Sequence, residues 1–103
     1  MTPNAEAIVA DSAKRLFPGL SKDEALASLL LERAQRNLIK SQAQARDYAT
    51  KYGQTFEQFR RMILEGEPGS EQERDYFDWE LAVTSAEDMA VEITRLSELL
   101  DRS

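Results

Sequence analysis

The stretch from Lys22 to Tyr52 reads KDEALASLLLERAQRNLIKSQAQARDYATKY, with small and apolar residues at Ala27, Leu31, Ala34, Leu38, Ser41, Ala45, Tyr48 and Tyr52. Alternating steps of four and three hold one narrow seam on one side of a helix, the pattern of a helix that lies against another along its length. The chain supplies a partner between Glu71 and Asp101, where Trp79, Ala82, Ala86, Met89, Ile93, Leu96 and Leu100 repeat the rhythm. Each stretch would be roughly 46 Å long as helix. The pattern predicts an all-α fold: a long antiparallel helical hairpin of coiled-coil character within a single domain spanning residues 1–103. Laid side by side, the seams would set Ala45 by Trp79, Leu38 by Ala86, Ala34 by Met89 and Ala27 by Leu96, small residues against large.

On the N-terminal side, residues 4–17 carry a narrow face of Ala5, Ile8, Val9, Ser12, Ala13 and Leu16, a short helix stopped by Pro18 and Gly19. Residues 1–3 are expected to fray. Ser21 and Glu24 form the S-x-x-E pattern of a capping box, which opens the first long helix over 21–52. Gly53 suits its end as a left-handed residue. Thr55 and Gln58 repeat the box and open a short helix over 55–65, with Phe56, Phe59, Met62 and Ile63 on one side as a cap over the hairpin. Gly66, Pro68 and Gly69 stop it, and Ser70 with Glu73 would start the last long helix over 70–101. Ser85 and Asp88 repeat the spacing, so a break near Thr84 is an open alternative.

A hairpin of 103 residues buries little surface. Its first long helix is apolar on more than one face near its start, because Leu26, Leu29 and Leu30 flank the seam. That surplus points to self-association, with a helical-bundle dimer as the expected form, or to cover by the N-terminal helix. No apolar run is long enough for a membrane span, and nothing resembles a signal peptide, so a cytoplasmic protein is expected.

With no Cys and no His, thiolate nucleophiles, zinc-thiolate sites and imidazole bases are absent. Glu-x-x-His di-iron bundles are excluded for the same reason. The net charge of −6 hides a split, with +3 over residues 1–64 and −9 over 65–103. Either the two long helices attract each other, or the acidic half docks a basic partner; both can hold together. Arg33, Arg36 and Lys40 form a basic ridge beside the seam. It is too short for nucleic acid and lacks an aromatic platform.

The segment Glu71 to Glu80 reads EQERDYFDWE. On a helix, Glu71, Asp75 and Asp78 share a face, a spacing that suits Mg²⁺ as in all-α nucleotide pyrophosphohydrolases, but acidic residues are ordinary at a helix start and the face reads first as a solvated one. Among the aromatic residues here, Trp79 falls on the seam and reads as core, while Phe77 lies off it, either under the short helix or open to a partner. A partner surface would comprise Glu71, Glu73, Asp75, Phe77 and Asp78, and no residue is assigned to catalysis, cofactor or metal.

The run Lys51-Tyr52-Gly53, Thr55-Phe56-Glu57 and Phe59, followed by Asp75 and Trp79-Glu80, resembles a group of small uncharacterised helical, antitoxin-like proteins of bacteria and archaea. The resemblance covers roughly residues 25–100 and rests chiefly on the KYG-x-[ST]-F-E-x-F block. It implies a non-enzymatic binding role, such as that of the antitoxin in a toxin-antitoxin pair, with a basic protein such as a toxin as partner and no membrane role.

Overall fold

Side chains that satisfy the first amides of a helix mark where the elements begin. In the computed structural model, which describes residues 4–102, the Asn4 carboxamide accepts from the Ala7 amide at 2.8 Å and opens α1 (Ala5–Leu16). Both halves of the Ser21/Glu24 box form, at 3.1 and 2.9 Å, and start α2 (Lys22–Tyr52). The Thr55/Gln58 box starts α3 (Phe56–Glu65) with bonds of 3.2 and 2.9 Å. Each cap satisfies amides that lack a partner within the helix. The expected fraying of residues 1–3 lies outside the described residues.

The third start differs from expectation. Gly69 is the N-cap of α4 (Ser70–Asp101), and only the Gln72 carboxamide reaches back, accepting from the Gly69 amide at 3.0 Å. Ser70 is therefore the first helical residue, so the Ser70/Glu73 box does not form. No break occurs at Thr84. Ser85 stays helical, and its hydroxyl accepts from the Ser41 hydroxyl across the hairpin at 3.0 Å. That bond satisfies two polar groups inside the seam and removes the reason for Ser85 to cap a new helix.

Among the described residues every regular element is α-helix, and α2 packs along α4. All the seam residues named above are buried or half-buried. The register is displaced from the expected one by about half a helical turn: Ser41 meets Ser85, and Tyr48 stacks on Trp79 with centroids 6.0 Å apart. The cause is the indole, which takes the rings of both Tyr48 and Tyr52 and so sits beyond Ala45. Gly53, with φ +60°, turns the chain out of α2, a conformation that costs a residue with a Cβ.

Candidate functional site

Two regions stand out, one closed and one open. At the closed end, α3 lays Phe56, Phe59 and Ile63 across the mouth of the hairpin against Tyr76 and Trp79. Phe59 is fully buried; its ring centre lies 4.2 Å from that of Tyr52 and 5.3 Å from the indole. Phe56 stacks on Tyr76 at 5.9 Å and meets Trp79 edge-on at 5.4 Å. Offset and edge-on ring pairs of this kind add to the burial of large apolar surface. Met62, expected on the same side, is only partly covered, at 38 % exposed.

Asp75 belongs to this closed end. It is only 8 % exposed, accepting from the Lys51 ammonium at 2.6 Å and from the Tyr52 hydroxyl, while Lys51 also reaches Glu71 at 2.7 Å. The hydrogen bond from Lys51, then that from Tyr52, holds the Asp75 carboxyl below the usual carboxylate range. Hydrogen bonds to Asp75 and Glu71 push the Lys51 ammonium up. Burial, then the bond to Asp75, raises the Tyr52 hydroxyl. The three groups clamp the end of α2 to the first turns of α4.

This corrects two readings of the acidic segment. Asp75 does not share an open surface with Glu71, Glu73, Phe77 and Asp78, because its carboxylate faces α2. Glu71 is exposed but paired with Lys51. A Mg²⁺ face of Glu71, Asp75 and Asp78 is likewise not assembled: Lys51 takes two of the three carboxylates, and the described residues contain no cluster of three acidic side chains able to hold a metal. Nothing in the local spacing of Asp75 reveals this, because only the register between α2 and α4 brings it to Lys51 and Tyr52.

Glu73, Phe77, Asp78 and Leu81 stay open on α4, as do Glu71 and Arg74 beside them. Phe77 is 65 % exposed although its ring touches that of Tyr76, so it is not covered by α3. Among the described residues neither Glu73 nor Asp78 is ion-paired. Asp78 shares a groove of about 490 Å³ with Asn37, Lys40, Gln44, Leu81 and Ser85, on one face of the hairpin. Burial and the neighbouring Asp78 raise the Tyr48 hydroxyl at the edge of this groove.

Among the described residues the basic ridge of α2 forms no ion pair. Among the described residues Lys51 alone forms ion pairs between α2 and α4, and Arg33, Arg36 and Lys40 form none. Among the described residues, close ion pairing across the hairpin thus takes up the charge split at Lys51 alone. Near the start of α2, the helix α1 covers Ala25 but leaves an apolar groove of about 220 Å³ lined by Ile8, Val9, Leu16, Leu26 and Leu29. Leu26, Leu29 and Leu30 all remain about half exposed, so α1 does not absorb the surplus.

No protein-family model, curated protein or solved structure matches the chain. Among the described residues no helix is long and apolar enough to cross a membrane.

Proposed function

We propose that the chain is a non-enzymatic, self-associating helical interaction module, acting in the cytoplasm as the antitoxin-like partner of a basic protein. The observation that carries this reading is Phe77: a large aromatic ring on the rigid start of a long helix, open to solvent, between carboxylates that form no ion pair among the described residues. An exposed aromatic anchor with a charged rim is the usual make-up of a binding hot spot. The docking surface is Glu73, Phe77 and Asp78, with Glu71 at its margin and Asp75 left out. The KYG-x-[ST]-F-E-x-F resemblance supports a binding role of this kind. Self-association is supported by the half-exposed Leu26, Leu29 and Leu30, which would be withdrawn from water in a dimer.

Capture from the host of origin, with wild type beside Phe77→Ser, tests the reading. A basic protein retained by wild type and lost from the variant supports it, provided the helicity of the variant is unchanged. With that partner in hand, Glu73→Gln with Asp78→Asn should slow association and flatten its salt dependence while changing dissociation less. Calorimetry with Mg²⁺ and nucleoside triphosphates gives the opposing outcome: saturable binding with release of pyrophosphate would replace the module with a Mg²⁺-dependent nucleotide pyrophosphohydrolase.

A further inference from the structure

The hairpin is thin and exposes more surface than a compact monomer of its mass. Its accessible surface is 7780 Å², whereas a compact monomer of 11.7 kDa exposes about 5,900 Å². Its radius of gyration is 20.0 Å and its shortest dimension 18 Å, against a radius of about 13 Å for a globular domain of this length. The excess, roughly 1,900 Å² per chain, is what each subunit of an obligate homodimer typically withdraws from water.

The face that would be covered can be read from the groove. Lys40 and Asn37 line it from α2, Leu81 and Ser85 from α4. Residues seven apart lie on nearly the same side of a helix, so the face continues through Arg33 and Leu26 on α2 and through Asp88, Glu92 and Leu99 on α4. The Ser41–Ser85 bond sets the levels. On that register Leu26 lies near the level of Leu99, Arg33 near Glu92, and Lys40 within about one turn of Asp88.

We infer that a second copy of this chain covers this face, related by a two-fold axis running along the hairpin, so that α2 of each copy lies over α4 of the other. This rests on the reading of the chain as a self-associating module and specifies its interface. The arrangement keeps equal levels together. Leu26 meets Leu99 of the second copy at the apolar end, while Arg33 and Lys40 meet Glu92 and Asp88 of the second copy in the middle. Every contact occurs twice, as a two-fold requires. Placing α2 on the second copy's α2 would instead set the basic ridge against itself. Phe77 faces nearly the same side of α4 as Asp88 but lies eleven residues, about 16 Å, nearer the closed end, so the surface around it sits beyond the covered middle and stays free for a basic partner.

Charge reversal tests this on the full-length chain by sedimentation velocity, with circular dichroism to verify helicity. Arg33, Lys40 and Asp88 are exposed and Glu92 is half-exposed, so their replacement leaves the seam intact. Wild type is expected to be dimeric at low micromolar concentration. Arg33→Glu with Lys40→Glu, and separately Asp88→Lys with Glu92→Lys, should each weaken the dimer at least tenfold. Mixing the two variants should restore it, whereas mixing the first with wild type should leave it weak. A monomeric wild type, unaffected variants, or a mixture that stays monomeric would overturn the arrangement. Tighter association of the first variant with wild type would do the same, by showing α2 against α2. Phe77→Ser separates the two proposals: it should abolish partner capture and leave the dimer unchanged.

Discussion

The two ends of the hairpin use the same helical pairing and reach different densities. At the closed end Phe59 and Trp79 are essentially removed from water, and α3 supplies a third wall. At the open end the buried seam residues are Ala27 and Ala34, and Leu26, Leu29, Leu30 and Leu99 remain about half exposed. Two helices bury only the narrow strip between them, and α1 lies beside α2 without lying over the seam. A third layer decides whether large side chains become core or surface, which makes the closed end the stability unit and leaves the large apolar side chains of the open end at the surface.

The largest expected effect is at the closed end. Trp79→Ala should cost about 3 to 5 kcal/mol, enough to abolish a cooperative urea transition in the monomer. A loss below about 1 kcal/mol would show that the rings are not packed as a unit. Next comes acid. The Asp75 carboxyl titrates below its unfolded value, so its contribution to stability is complete above about pH 4, the unfolded carboxylate range, and is lost as pH falls through the lower folded value. Thermal melting followed from pH 7 to pH 2 should drop in wild type, and drop less in Asp75→Asn, which has no charge there to lose. Equal slopes would place the acid-sensitive group elsewhere.

Gly53→Ala should destabilise by roughly 1 to 2 kcal/mol, because φ is +60° and the strain is present even though the space for a Cβ is empty. Denaturant unfolding measures it, and no change would mean that the turn relaxes freely. The smallest effect on folding is at the open end. Leu26→Ser should leave the dilute, monomeric chain within about 0.5 kcal/mol of wild type, as surface positions do, yet weaken self-association in sedimentation. A large loss of monomer stability would show that Leu26 is core already.

Part of this contrast is legible in the amino-acid pattern. The seam positions follow from the four-three rhythm, and the starts of α2 and α3 follow from their capping boxes, since both are local and repeat within a few residues. The role of Asp75 is not legible from spacing. Its place in EQERDYFDWE puts it with Glu71 and Asp78, and only the register between helices turns it toward Lys51 and Tyr52. Ser85 misleads in the same way: its spacing to Asp88 copies a helix start, but its hydroxyl is already satisfied by Ser41.

The helices, their stops and the stripe along which they pair are written in the chain itself, because caps, glycine turns and periodicity act over one or two turns. The half-turn register, the burial of Asp75, the exposure of Phe77 and the absence of ion pairs at Arg33, Arg36 and Lys40 among the described residues arise only in the packed fold. These depend on how α3 wedges its rings between α2 and α4, a contact between residues distant along the chain, and side-chain volume rather than local spacing sets where that wedge comes to rest.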